Sequence, residues 1–155
     1  MVQYYLCLMP IVRVNIVNTS ANALPSYATS GSAGMDIRAD LHEPVALKSM
    51  ERYLVPTGLY LELPAGYEAQ IRPRSGLAIK QGITCLNSPG TVDSDYRGEL
   101  KVILINLSDT SQVIHSGDRI AQIIITKTER AELILVQQLE DSIRGSGGFG
   151  HTGVK

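Results

Sequence analysis

Cysteine is nearly absent. Cys7 and Cys85 are the only two in 155 residues, and they stand far apart, outside any paired-ligand spacing. That excludes a disulfide framework and argues against a zinc site; both thiols read as buried or half-buried in a reducing compartment. An excess of either charge is also missing. The formal net charge is −1, from 14 basic and 15 acidic residues. The basic residues are scattered rather than striped, so neither nucleic acid nor an anionic membrane is expected as a partner. An anionic ligand has to be met by a local cluster of donors, and a polyanion calls for a counter-cation. His42, His115 and His151 share no ligand spacing and read as surface residues. There is no Gly-x-Ser-x-Gly elbow and no Walker-type phosphate loop. No apolar run is long enough to cross a bilayer. Residues 1–10 are apolar but carry neither a basic n-region nor a small-residue cleavage site. They read as a leading strand or an unstructured extension, and the expected location is the cytoplasm, or the nucleus in a eukaryote.

What the chain does have is a hydrophobic fraction of 44%, enough for the core of one ordinary domain. Short apolar stretches recur between Gly, Pro, Asn and Asp. In residues 11–17, Val12, Val14 and Ile16 alternate with Arg13 and Asn15. Residues 67–72 alternate again. Residues 53–63 place Val55, Leu59, Leu61 and Leu63 on one side, interrupted by Pro56-Thr57-Gly58. Period two bounded by turn residues predicts strands. Val102-Ile103-Leu104-Ile105 and Ile123-Ile124-Ile125 are continuous and β-branched, the pattern of strands covered on both faces. Together they predict an all-β sandwich or barrel. The one clear helix signal is Ser75 to Gly82, about two turns long, with Ser75 as N-cap and Gly82 as the terminating glycine. Residues 128–138 mix helix and strand formers and are read as strand. Residues 144–153 have only Phe149 to bury, so they read as mobile until something orders them. The organisation expected is an extension at 1–10, a β domain at 11–140 and a flexible arm at 141–155.

Four segments could carry chemistry. Arg72-Pro73-Arg74-Ser75-Gly76 leads into the helix, where free N–H groups, the Arg74 fork and the Ser75 hydroxyl could hold phosphate; a capped helix with solvated arginines is the plain alternative. Gln122 sits inside an apolar strand and needs a partner, because an unpaired buried amide costs roughly 1–3 kcal/mol; that partner is either neighbouring backbone or a ligand. Residues 87–100 read as a β-hairpin with an elaborate tip. Beside Val92, Asp93 is expected to point inward and Ser94-Asp95 toward water, which makes Asp93 a candidate base. Asp36, in Ala33-Gly34-Met35-Asp36-Ile37, is either structural or orients another group at a site.

These segments, taken in order, resemble a known family. Ala33-Gly34-Met35-Asp36-Ile37, Pro73-Arg74-Ser75-Gly76-Leu77-Ala78, Gly90-Thr91-Val92-Asp93-Ser94-Asp95-Tyr96-Arg97-Gly98, Gly117-Asp118-Arg119-Ile120-Ala121-Gln122 and Arg144-Gly145-Ser146-Gly147-Gly148-Phe149-Gly150 resemble the ordered motifs of the trimeric dUTPases. The resemblance implies a jelly-roll-like subunit in a homotrimer with shared active sites, the apolar strands covered by neighbours and the arm ordering on substrate. It implies hydrolysis of dUTP to dUMP and pyrophosphate, which limits uracil incorporation into DNA and supplies dUMP for dTMP synthesis. Asp93 corresponds to the general base, and Tyr96 to the aromatic that leaves no room for a 2′-hydroxyl. Asn87, Gly90, Thr91, Val92 and Lys101 correspond to the uracil slot. Arg74, Ser75, Gly76 and Gln122 correspond to the phosphate contacts, Arg144, Ser146 and Gly147 to those of the arm, and Phe149 to its stacking lid. Mg²⁺ is implied, held by phosphates and waters with no direct protein ligand, and Asp36 acts from behind. His151 departs from the family, where a small hydroxylated residue is commoner. A dCTP deaminase, or a deaminase–pyrophosphatase, is the nearest competing reading, and Asp93 with Tyr96 and the Gly-rich arm favours the pyrophosphatase. A dUTPase-like regulatory protein is the other; an intact Asp93 and arm argue against a purely non-catalytic one.

Overall fold

The computed structural model describes residues 11–148, and in them the chain forms ten strands and one short helix. The elements are β1 (Asn15–Asn18), β2 (Met35–Arg38), β3 (Val45–Leu47), β4 (Arg52–Glu62), β5 (Tyr67–Arg72), α1 (Ser75–Gln81), β6 (Ile83–Cys85), β7 (Gly90–Val92), β8 (Glu99–Asn106), β9 (Gln112–Ile114) and β10 (Arg119–Lys127). One four-stranded sheet runs β1-β4-β8-β6, a second runs β2-β10-β5-β7, and β3 pairs with β9. Every pairing is antiparallel. The all-β architecture expected from the strand signals, and the jelly-roll-like form implied by the resemblance, are what is found. No helix among the described residues is long and apolar enough to cross a membrane.

Alternation decides which side chains meet. On β5, Ala69 and Ile71 are buried while Gln70 and Arg72 turn outward. They join one core with Ile37, Ala121 and Ile123 of the same sheet and Val55, Leu59, Leu61, Leu100, Val102 and Leu104 of the other. Each fully buried Leu or Ile contributes about 1.5–3 kcal/mol, so the shared core holds the sheets together. Pro56-Thr57-Gly58 does interrupt β4, in a specific way. Pro56 pairs with Lys101 and Leu59 with Leu100, leaving Thr57 and Gly58 without partners on β8. An insertion of one residue would turn every later side chain to the other face. An insertion of two preserves the phase, and Leu59 and Leu61 stay in the core. Gly58 has φ +68°, and a Cβ there would lie 2.8 Å from the backbone nitrogen of Ser20. Glycine is the residue that fits.

Three expectations change here. The continuous run on β8 is covered by this chain itself: Val102, Leu104 and Ile105 are all buried without a neighbour. Residues 128–138 form neither strand nor helix, and Leu133, Ile134 and Leu135 are exposed at 92%, 77% and 99%. A strand needs a partner for its N–H and C=O groups, and nothing in the described chain pairs with this one. At α1, Ser75 is the first helical residue and Arg74 occupies the N-cap without a side-chain cap bond. The Arg74 side chain is engaged elsewhere, as shown below. Gly82 ends the helix in the left-handed conformation as expected, its N–H donating to the Ala78 carbonyl at 3.2 Å. Cys85 is buried, and burial pushes its thiol up to about 11; Cys7 lies outside the described residues.

Candidate active site

A cleft of about 280 Å³ opens beside β7 and β8. Leu54 and Ile103, paired across β4 and β8, give it apolar surface. Asn87, Thr91, Val92, Asp93, Tyr96, Glu99, Leu100 and Lys101 complete its lining. The segment that carries them is not a simple hairpin. β7 pairs with β5 in one sheet, whereas β8 pairs with β4 and β6 in the other, so residues 93–98 cross from sheet to sheet. The crossing is tight. The Tyr96 N–H donates to the Asp93 carbonyl at 3.2 Å, and Arg97 donates to the Ser94 carbonyl at 2.7 Å. Asp93 is exposed in the single chain and Ser94 is less so, the reverse of what was expected of these two, whereas Asp95 faces water as expected. Gly90 is buried on β7 and does not line the cleft; a Cβ there would come within 3.0 Å of the Asn87 amide nitrogen. A side chain at position 90 would press on Asn87, which lines the cleft.

Glu99 was not singled out from sequence. Its Oε1 accepts the Thr57 and Gly58 N–H groups at 3.1 and 3.0 Å, and its Oε2 lies 3.3 Å from Lys101 Nζ. Partial burial raises its pKa, but the Gly58 N–H, the Lys101 ammonium and the Thr57 N–H outweigh that and hold it below the ordinary glutamate range. The signal that could have found it is its spacing of two from Lys101, which puts both on one strand face.

A second cluster gathers on β2, β10 and the start of α1. Asp36 Oδ1 accepts from Arg74 Nε at 2.9 Å and, more loosely, from Gln122 Nε2 at 3.4 Å; Asp36 Oδ2 accepts from Arg119 at 3.2 Å. Arg74 also donates to the Arg119 carbonyl at 3.0 Å. Gln122 and Asp36 face each other in the β10–β2 register. The partner required for Gln122 is thus a carboxylate, neither of the two alternatives drawn from sequence. Asp36 orients an arginine and an amide, with Arg119 as the member that sequence reasoning passed over. Ser75 and Gly76 are exposed beside Arg74.

The structure does not join these clusters. The cleft around Asp93 includes none of Arg74, Ser75, Gly76 or Gln122. The described part of the arm bonds to itself, Arg144 Nε donating to the Gly147 carbonyl at 2.7 Å and the Gly147 N–H to the Arg144 carbonyl at 3.2 Å, with Ser146 exposed between them. Phe149 and His151 lie outside the described residues. Among the described residues no group of three or more His, Cys, Asp or Glu could hold a metal ion.

Comparison with known proteins is consistent across three measures. A family model described as dUTPase matches residues 20–153. A deoxyuridine 5′-triphosphate nucleotidohydrolase of Fusobacterium nucleatum is 56% identical over 145 residues, covering 94% of this chain and 99% of the relative. The enzyme of that name from Cytophaga hutchinsonii is 59% identical over 140 residues, covering 90% and 91%. Among solved structures, a dUTPase of Staphylococcus bacteriophage 80alpha with dUpNHpp superposes with a TM-score of 0.82 at 26% identity, covering 92% of this chain and 99% of that one.

Proposed function

This chain belongs to the dUTPase family, and from that membership we infer that it is a dUTP diphosphatase, cleaving dUTP to dUMP and pyrophosphate. The observation that carries the finer reading is the gathering of Asn87, Thr91, Val92, Asp93, Tyr96 and Lys101 around one small cleft. Uracil enters between Asn87, the Thr91–Val92 backbone and Lys101, and the deoxyribose packs on Tyr96. A carbon at the 2′ position meets the ring; a hydroxyl there meets it too closely, which is exclusion by bulk.

The Asp93 carboxylate takes a proton from water, and the water oxygen attacks the α-phosphorus. The bond from that phosphorus to the α,β-bridging oxygen breaks, pyrophosphate departs, and dUMP keeps the new oxygen. Arg74, already aimed by Asp36, offers its fork to phosphate oxygens with Ser75, Gly76 and Gln122 beside it. The Arg74 guanidinium donates to anions and cannot ligate a cation, while the Ser75 hydroxyl and the Gln122 amide offer only isolated neutral oxygens. This set would suit a magnesium ion brought by the substrate phosphates, where it would offset their charge. Asp93 and Arg74 stand in separate clusters of one chain, which supports a homotrimer whose sites combine subunits. The arm, residues 141–155, then closes with Arg144, Ser146 and Gly147 on the phosphates and Phe149 on the base, shutting out bulk water. In the cell this activity limits uracil incorporation into DNA and supplies dUMP for dTMP synthesis.

The test is pyrophosphate release with Mg²⁺ from dUTP, dTTP, dCTP and UTP. Release from dUTP alone is expected. Asp93→Asn is expected to keep dUTP affinity and lose about 10²–10⁴-fold in kcat, the range for a lost general base. Strong residual turnover in that variant, or ammonia release from dCTP at a comparable rate, would overturn the reading.

A further inference from the structure

Gly98 has no role in the site as described, yet any side chain there would have to displace the Tyr96 ring. Its backbone does not require glycine, because among the described residues the glycines with positive φ are Gly58, Gly66, Gly82, Gly117 and Gly145. What requires it is Tyr96. A Cβ at position 98 would lie 2.5 Å from Tyr96 Cζ and 2.9 Å from Cε2, and closer still to the phenol oxygen. The ring is folded back over a bare Cα.

The phenol then reaches past Gly98 and donates to the Glu99 carbonyl at 3.0 Å. That carbonyl belongs to a fixed point. The Glu99 carboxylate accepts the N–H groups of Thr57 and Gly58, the two residues of β4 that have no partner on β8. Thr57 Oγ1 donates in turn to the Leu100 carbonyl at 2.5 Å. At its other end Tyr96 is tied by its N–H to Asp93. The ring is therefore anchored at backbone and hydroxyl, with the glycine surface beneath it.

We propose that Gly98 and Glu99 are positioning residues that set the height of the Tyr96 ring and thereby the discrimination between deoxyribo- and ribonucleotides. The proposal rests on Tyr96 being the group that meets the sugar. Exclusion of one hydroxyl is a matter of contact distance. A ring free to retreat by a fraction of an ångström admits the hydroxyl, and a tethered ring does not. Gly98 supplies the room for the folded-back ring, and Glu99 supplies the carbonyl at a fixed place.

The test measures kcat/KM for dUTP and UTP in the wild-type enzyme and in Tyr96→Ala, Gly98→Ala, Glu99→Ala and Glu99→Gln, with thermal melts alongside. Tyr96→Ala is expected to raise the UTP/dUTP ratio. Gly98→Ala and Glu99→Ala are expected to raise it by about tenfold or more, the scale of one altered contact in a pocket. Glu99→Gln keeps an oxygen for the Thr57 and Gly58 N–H groups and is expected to restore the ratio toward wild type. A purely structural role would lower the melting temperature and leave the ratio alone; that result in both Gly98→Ala and Glu99→Ala, with Tyr96→Ala altered, overturns the proposal and spares the reading of Tyr96. No change in Tyr96→Ala overturns both.

Discussion

Glu99 and Asp36 are single carboxylates that each hold several groups still. Asp36 gathers Arg74, Arg119 and Gln122; Glu99 gathers two N–H groups and Lys101. The consequence for Glu99 is measurable as a pH dependence. Its pKa is lower in the folded state than in the open chain. A carboxyl with a depressed folded pKa stabilises the fold fully above its unfolded value, about 4.3 for glutamate. That contribution is lost as pH falls through the folded value. Glu99→Gln has no such proton to gain. The melting-temperature gap between wild type and Glu99→Gln is therefore expected to shrink on acidification from pH 7 to below that value. A gap that stays constant over this range would mean that the ionised form of Glu99 does not stabilise the fold.

At the scale of elements, what was legible in the sequence is what neighbours in the chain decide. Alternation placed β5 at residues 67–72, with Ala69 and Ile71 inward, because burial of one face is written into each strand separately. What was illegible is partner choice. Residues 87–100 look like a hairpin locally, but β7 finds β5 and β8 finds β4, and only the assembled sheets decide that. Arg74, not the hydroxyl residue Ser75, takes the cap position, and its guanidinium pairs with Asp36, distant in sequence. The break at Pro56-Thr57-Gly58 was visible, whereas its length of two unpaired residues was not. That break makes a specific demand on Gly58. Gly58→Ala combines a left-handed φ with a clash against the Ser20 backbone, and Gly66, at φ +80°, has nothing within 4 Å. The expected loss is about 2–5 kcal/mol for Gly58→Ala and about 1–2 kcal/mol for Gly66→Ala, from the left-handed penalty alone in the second case and with overpacking added in the first. Urea unfolding of the pair checks it; equal losses would show that Ser20 yields to the new methyl.

On the whole chain, the cleft around Asp93, the cluster of Asp36 with Arg74, and the self-bonded turn at Arg144 to Gly147 are three separate groups. A groove of about 680 Å³ lined by Val12, Val14, Ile16, Leu61 and Ile123 to Ile125 stays open, and Leu133 to Leu135 stay exposed. Apolar surface of this extent is the kind that assembly covers. If sites combine subunits, two different inactive chains can repair each other. Asp93→Asn supplies a good arm and a dead base; truncation before Arg144 supplies a good base and no arm. Each alone is expected to be nearly inactive while sedimenting as a trimer. After co-refolding in equal amounts, an arm that reaches a neighbour makes about one site in four complete, by random placement in a cyclic oligomer. Turnover should return to that fraction of wild type. An arm that serves its own chain gives no recovery, because no single chain in the mixture then holds both the base and the arm.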